Sequence, residues 1–341
     1  MTSTPAQTDK RTPLHMAAHQ HSWSARVLAQ TLAWAIIKPV HFFAELAGRT
    51  DALWRWVGQK MRNDVVASHD FGDYLPGSAD VIVCTFPKCG TNWTLQIAHQ
   101  IATRCTGEFE HIHHVVPWPD FKHQHMIVPM DDRAVLDASP TGLRVIKTHL
   151  EFNKLPYNDN ARYICILRDP KDAFVSSYHF IREIFFGPIM PPVDVWQRLY
   201  CSDGFPFDWA EHADTYWRHR DKANLLILTY EEMKADTAAS IARIAHFMGV
   251  ELSPEELATV AEKSSFAYMK GIGHKFSPPA MTPLAQRERT MIRRGAAGSS
   301  DELLSAAQQQ AIDDRMRQRL ASLGSDFPYD EYYGRTSARA E

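Results

Sequence analysis

Cysteine is scarce and unpaired in this sequence. Cys84, Cys89, Cys105, Cys165 and Cys201 are odd in number, none stands in a Cys-x-x-Cys, and two lie inside apolar, strand-like runs. That usage does not suit a disulfide scaffold, and a reduced, cytoplasmic protein is expected. A basic surplus is missing too: 37 Lys and Arg stand against 40 Asp and Glu, a formal net charge of -3. General nucleic-acid binders carry the opposite balance, so no nucleic-acid partner is expected. There is no internal repeat, and the opening "MTSTPAQTDKRTPLHMAAHQHS" has no compact apolar run of the signal-peptide kind.

Nor is there a long uninterrupted apolar run. "ARVLAQTLAWAIIKPVHFFAELAG" comes nearest, but Gln30, Lys38, Pro39, His41 and Glu45 interrupt it, and it is expected to fall short of a membrane span. Its plain reading is a packed accessory helix broken near Pro39. Contact of residues 23–47 with a membrane surface, or docking of a partner, is the alternative.

With 341 residues, 45% of them hydrophobic, the chain has ample core for a folded enzyme. The expected division is a partly apolar helical extension over 1–60, a main domain over 61–335 and a short tail over 336–341. From about residue 60, short apolar runs alternate with amphipathic stretches. "DVIVCTF" (80–86), "RVIKTHL" (144–150), "RYICILR" (162–168) and "NLLILTY" (224–230) have the compact make-up of buried parallel strands. "TNWTLQIAHQIAT", "PKDAFVSSYHFIREIF", "TAASIARIAHFMGV" and "SPEELATVAEKSSF" are the helices between them, the last opened by a Ser253–Glu256 capping box. The pattern predicts an α/β fold with a mainly parallel central sheet flanked by helices, and ligands bind such sheets beyond the carboxyl ends of the strands. A mobile loop over 270–300 with a basic patch, then a last helix "DELLSAAQQQAIDDRMRQRLASLG", complete the reading.

Chemistry-bearing residues gather at those strand ends. In "TFPKCGTNW" a helix starting near Thr91 offers free N–H groups and a positive dipole end. Lys88 adds charge, Gly90 permits close approach, the Thr91 hydroxyl can donate, and Trp93 can stack on a base. In "IKTHL" the side chains of Lys147 and His149 point the same way, placing a cation beside an imidazole suited to general-base work. Arg168 closes the third strand, and Ser176 lies about two turns along the following helix; an Arg fork with a nearby hydroxyl suits a phosphate. "MIRRGAAG" brings Met291, Arg293, Arg294 and Gly295, which could close over a second anion. A ligand with two anionic groups and an aromatic base follows.

"TFPKCGTNW", "IKTHL", "LRDPKDAFVSSYHF", "TYEEMKAD" and "IRRGAAG" occur in the order and approximate spacing of the cytosolic-type sulfotransferases, which the chain resembles over roughly residues 70 to 325. The resemblance implies a P-loop-like nucleotide fold and the donor 3′-phosphoadenosine 5′-phosphosulfate (PAPS), with PAP as product and no metal. It implies that Lys88, Cys89, Gly90, Thr91, Asn92 and Trp93 form the 5′-phosphosulfate loop, with Trp93 against the adenine. Arg168 and Ser176 match the 3′-phosphate pair, aided by Met291, Arg293, Arg294 and Gly295. Tyr230, Ser264 and Phe266 match residues around the base, and Lys88, Lys147 and His149 the catalytic set, His149 as general base. A phosphosulfate end explains why the loop lacks Gly-Lys-Ser/Thr.

Three departures stand out. Cys89 replaces the usual loop serine; its N–H is still expected to serve, and its thiol, near a helix start, raises the expectation of redox sensitivity. "GAAGSS" lacks the usual Asp-Trp. The segment after it lacks the lysine, valine and glutamate of the family's dimer motif, so the oligomeric state stays open. "VVPWPDF" makes Trp118 and Phe121, with Phe180, candidate walls for a small apolar acceptor such as a phenol or alcohol. The alternative is that they are plain core. "HIHH" (111–114) and "KHQH" (122–125) lack partners at metal-ligand spacing, so no metal is expected. The alternative functions are a kinase-like phosphotransferase and a non-catalytic nucleotide-binding module.

Overall fold

Four apolar runs become the four strands expected of them. In the computed structural model, which describes residues 21–66, 71–121, 124–286 and 291–334, they are β1 (Asp80–Thr85), β2 (Arg144–Thr148), β3 (Arg162–Leu167) and β4 (Leu225–Thr229). All neighbours pair in parallel, in the order β2-β1-β3-β4. Parallel neighbours cannot be joined by tight turns: the β1–β2 and β3–β4 connections run through helices, and β2 returns to β3 across β1 through a loop with a single 3-10 turn, Phe152–Lys154. β1 and β2 are buried along their whole length, and β3 at every residue but Arg162.

Strand alternation divides the interior in two. Ile82, Cys84, Tyr163 and Cys165 face one core, with Trp196, Trp209 and Tyr216. Val81, Val83, Ile164 and Ile166 face the other, with Leu95, Ile97 and Ile244. At the amino ends of β1 and β2, Arg144 Nη2 pairs with Asp80 Oδ1 at 3.0 Å, both nearly solvent-free, and Arg144 also donates to the Met130 and Asp132 carbonyls. This clamp locks the register far from the carboxyl ends, where the chemistry lies.

The helices around the sheet, in chain order, are α1 (Trp23–Leu46) and α2 (Thr50–Val66) before β1, then α3 (Thr91–Ala102), α4 (Pro170–Ile181), α5 (Val193–Tyr200) and α6 (Trp209–Trp217). After β4 come α7 (Tyr230–Ala235), α8 (Thr237–Met248), α9 (Pro254–Lys263), α10 (Phe266–Gly271) and α11 (Ala306–Leu323). The last is docked by a buried pair in which Lys171 Nζ donates to Asp313 at 2.5 Å and to the Tyr333 carbonyl at 2.9 Å, while Tyr329 donates to the same carboxylate.

Several elements differ from expectation. α1 is one helix of 24 residues, unbroken at Pro39. A π-turn over Ala33–Ile37 resets the bonding, so Pro39 falls in the first turn of the next segment, where its missing N–H costs no bond. Nor is α1 packed: among its residues only Ala33 is buried. Its length and composition are also sufficient to cross a membrane, contrary to the sequence reading. α2 runs unbroken through the expected boundary at residue 60, and Trp54 lies in the domain core against Phe186 and Trp196.

Tyr230 is the first residue of α7 rather than the last of a strand, because Thr229 and Glu232 form a capping box there. α11 starts at Ala306 rather than 301, again because a box forms, between Ser305 and Gln308. α4 ends at Ile181 in a π-turn over Arg182–Phe186, short of the expected helix. α5 and α6 are not among the helices expected, although α5 is amphipathic and Asp208 caps the start of α6.

Candidate active site

The loop after β1 is shaped by two left-handed residues, Lys88 at φ 73° and Gly90 at φ 91°. Gly90 is required twice over: by that φ and because a Cβ there would lie 2.9 Å from the Tyr230 ring. The first N–H groups of α3 have no acceptor inside the helix, so they face the space in front of the loop. Thr91 Oγ1 lies 2.5 Å from Thr85 Oγ1, which pins the helix start to the strand end. Lys88 Nζ rests 3.9 Å over the Phe180 ring; burial, with Arg168 and Arg293 close by and Glu183 opposing, lowers its pKa to about 8.

Cys89 departs from expectation. Its N–H donates to the Phe86 carbonyl at 3.1 Å, and its side chain is buried in the core rather than lining the cavity. Burial pushes the thiol pKa up, not down. The redox sensitivity that the sequence left open finds no support in this setting: a helix start lowers a thiol pKa only when water or charge can reach the thiolate.

Lys147 and His149 share one face, as strand alternation predicts. Lys147 Nζ lies 3.1 Å over the Trp118 ring, and the His149 ring meets the edge of the same indole at 5.5 Å. His149 Nδ1 lies 2.7 Å from the Thr85 carbonyl, which can only accept, so Nδ1 carries the proton. The His149 N–H donates to Asp120 Oδ2 at 2.8 Å. Burial, reinforced by Lys147 and opposed by the Thr85 bond, holds the imidazole well below its usual pKa. It is therefore neutral, with its lone pair on Nε2. Burial lowers the Lys147 pKa as well, with Asp120 opposing and Lys88 assisting.

A second polar cluster stands across the cavity. Arg168 Nη1 donates to the Lys88 carbonyl at 3.0 Å and Nη2 to the Ala296 carbonyl at 2.9 Å, while the side chain pairs with Asp172. Its Nε is buried without a hydrogen-bond partner. Asp172 in turn accepts from the N–H groups of Gly298 and Ser299, holding the glycine block behind Arg168. Arg293 and Arg294 pair with Glu302 at 2.7 and 3.1 Å. Gly295, at φ 59°, has no room for a Cβ, which would meet the Phe266 ring at 2.4 Å. Tyr230 meets Trp93 edge-on at 5.4 Å and lies under the Arg168 guanidinium. The Ser264 hydroxyl already donates to the Val260 carbonyl, so toward a ligand it can only accept.

One cavity of about 1060 Å³ joins both clusters, and every expected site residue except Cys89 lines it, Asn92, Ser176, Phe121 and Met291 included. Trp118 stacks on Phe121 at 4.5 Å, and both also pack on the small apolar cluster of Met126 and Ile127, so the wall and core readings hold together. The residues fit a nucleotide with anionic ends: a buried guanidinium N–H without an acceptor is costly, and an anion there satisfies it. Two glycines whose Cβ would strike Tyr230 and Phe266 leave flat room beside aromatic faces.

The sequence reading missed Thr85, Asp120, Glu302 and His113. Asp120 stood in plain view between Trp118 and Phe121, whereas the others act through a carbonyl, an ion pair or a stacked ring. Of the suspected metal histidines, His111 and His113 bond the Ser277 and Val116 carbonyls, and residues 122 and 123 lie outside the described residues. Among the described residues no group of His, Cys, Asp and Glu is arranged to hold a metal.

Comparison with known proteins accords with this geometry. A family model described as the sulfotransferase domain matches residues 78–324. Sulfotransferase 2A1 of Macaca fascicularis is 28% identical over 266 residues, covering 76% of this chain and 90% of that protein. Sulfotransferase 6B1 of Mus musculus is 28% identical over 272 residues, covering 75% and 81%. A crystal structure of retinol dehydratase with retinol and PAP superposes with a TM-score of 0.62 at 21% identity, over 79% of this chain and 88% of that one. Mouse sulfotransferase SULT7A1 with PAP gives 0.56 at 24% identity, over 75% and 89%.

The chain belongs to the sulfotransferase-domain family. It is a cytosolic-type, PAPS-dependent sulfotransferase, and the phosphotransferase and non-catalytic alternatives fall away.

Proposed function

We propose that this protein transfers the sulfuryl group to the hydroxyl of a small apolar alcohol or phenol, with His149 as general base. The observation that carries the reading is the His149 tautomer: with Nδ1–H held by Thr85, Nε2 presents a lone pair in the cavity beside Lys147. When bound, the donor supplies an electrophilic sulfur and a phosphate leaving group.

In this reading the loop from Lys88 to Trp93 holds the phosphosulfate end through N–H groups and the lysine charge. Arg168 Nε and Ser176 take the 3′-phosphate. Arg293 and Arg294, oriented by Glu302, complete that anion site. Trp93, Tyr230 and Phe266 hold the base between aromatic faces, with Ser264 accepting from it. Asp120 fixes the His149 backbone, and so the direction of Nε2.

His149 Nε2 takes the acceptor proton as the acceptor oxygen bonds to sulfur and the bond from sulfur to the phosphate oxygen breaks. The departing electron pair stays on that oxygen, where Lys88 and Lys147 stabilise it. Fixed donors aimed at developing charge are worth roughly 3 kcal/mol apiece in such sites. Burial leaves both lysines easily deprotonated in the free protein, and an incoming anion raises their pKa values and charges them.

The cavity carries a broad apolar lining, with Phe86, Phe185, Phe207, Phe276 and Met281 in its wall, and Trp118, stacked on Phe121, meets His149 edge-on. A 3-beta-hydroxysteroid sulfotransferase of Cavia porcellus, 26% identical, supports a lipophilic hydroxyl as acceptor. The test is a panel of phenols, steroids, long-chain alcohols, amines and charged saccharides with radiolabelled sulfate donor. Label is expected on apolar hydroxyls; transfer to saccharides alone would overturn the acceptor assignment.

A further inference from the structure

α1 carries a long apolar surface that the domain leaves uncovered. Trp23, Leu28, Trp34, Phe42, Phe43 and Leu46 are all more than 60% exposed. The helix spans about 36 Å at 1.5 Å per residue, and a contiguous exposed apolar face of this kind marks an interaction surface. It is not a loose arm. Arg26 donates to the Ala285 carbonyl near one end, and His41 packs its ring on Trp54 near the other, at 6.1 Å. A helix held to the domain along its length lies flat and presents its outer side as one face.

Charge on this region runs against the rest of the chain. Across residues 21–66 Arg26, Lys38, Arg49, Arg55, Lys60 and Arg62 outnumber Glu45, Asp51 and Asp64, while the whole chain is at -3. Two of these cations sit on exposed indoles: Lys38 Nζ lies 3.5 Å over Trp34, and Lys60 Nζ 4.5 Å over Trp56. Indole with ammonium is the pairing suited to a bilayer interface, where one part meets acyl chains and the other anionic headgroups. The face is also continuous with the cavity: Trp56 is 58% exposed and, with Val57, Lys60 and Met61, lines it. The carbonyls that anchor the chain before and in α1, Ala280 and Ala285, flank the cavity residues Met281 and Thr282.

We infer that α1, with the adjoining face of α2, seats this protein on an anionic lipid bilayer, α1 lying in the interface, and that the cavity draws its acceptor from that bilayer. The acceptor is then a membrane-dissolved alcohol. This second half rests on the transferase reading above; the docking does not.

The test uses the full chain, floated with vesicles of phosphatidylcholine alone or mixed with phosphatidylglycerol. The protein is expected to float with the mixed vesicles and much less with phosphatidylcholine alone. The double variant Leu28→Glu, Phe43→Glu alters only exposed positions and should keep PAP affinity, which reports that it is folded. Losing two apolar side chains that would enter the bilayer should weaken partitioning about tenfold each. The variant should also lose turnover of a long-chain alcohol held in vesicles while keeping that of a water-soluble phenol.

Protein that remains in the aqueous phase with both vesicles overturns the docking, whatever its activity. So does a dimer in solution that the double variant dissolves without any change in flotation, which assigns the face to a second copy. Slow hydrogen exchange over 23–46, equal with and without vesicles, would likewise show the face covered by other chain. Vesicle binding with no transfer to any hydroxyl overturns the transferase reading instead and leaves the docking standing.

Discussion

His149 gives its Nδ1 proton to the carbonyl of Thr85 across 2.7 Å, linking the end of one strand to the end of its neighbour. The bond chooses the tautomer and aims Nε2 at the cavity. Replacing His149 with Ala should therefore lower turnover about 10²- to 10⁴-fold while PAP affinity stays within about twofold. Single-turnover kinetics and calorimetry read the two effects separately; wild-type turnover would remove the base assignment.

The acid limb of the rate profile follows from the same ring. Burial and Lys147 hold the imidazole well below its ordinary 6.5, so it remains a base at pH values where a free histidine is already protonated. The log of kcat/KM, which reports the free protein, is expected to show no bend from this ring as pH falls through 6.5 and to bend with it only well below. A bend at the unperturbed value would mean a solvated histidine.

Lys88 sets the alkaline side of donor binding. Its pKa is lowered to about 8 in the free protein, and a bound anion raises it. Lys147, lowered to about 7, starts a fall in PAP affinity above that pH, and Lys88 should steepen it above pH 8, by at most about a further tenfold per pH unit. In Lys88→Met, titrated by calorimetry, the binding should be weaker and the added steepening above pH 8 should be gone.

Gly90 is predicted to be intolerant of even one methyl group. Gly90→Ala combines an unfavourable φ of 91° with a contact 2.9 Å from Tyr230. Strain of this kind costs on the order of 1–3 kcal/mol. Urea denaturation should show that loss, and PAP binding should weaken because the loop in front of α3 must shift.

The Asp80–Arg144 clamp lies at the opposite end of the strands and should separate stability from catalysis. Asp80→Ala leaves a buried guanidinium with its carboxylate partner gone, a change that typically costs about 3–5 kcal/mol. Denaturation should record that loss, while the KM for donor in the folded fraction should scarcely change.

Much of this was readable in the linear order of residues. Compact Val- and Ile-rich runs read as buried strands, and the motifs carrying Lys88, Lys147 and Arg168 each lie at the carboxyl end of one, whereas the Arg293–Gly295 block reaches the site from a distant loop. Period-2 alternation was enough to set Lys147 and His149 on one side. Tyr230 misled at the strand end because Thr229 prefers to cap a helix, and Pro39 misled because a π-turn absorbs it.

Local pattern thus settles which segments are strands, which turns hold anions and which reaction family they serve, since those depend on neighbours a few residues apart. Folding alone could settle the rest. The Thr85 carbonyl has no side-chain signature, Asp120 matters only where it lands, and Glu302 meets its arginines through a loop closure. Cys89 is silenced by burial that no spacing reveals, and the exposure of α1 depends on which helices the domain already covers. Each is a long-range contact or a loss of water, and neither is encoded by near neighbours along the chain.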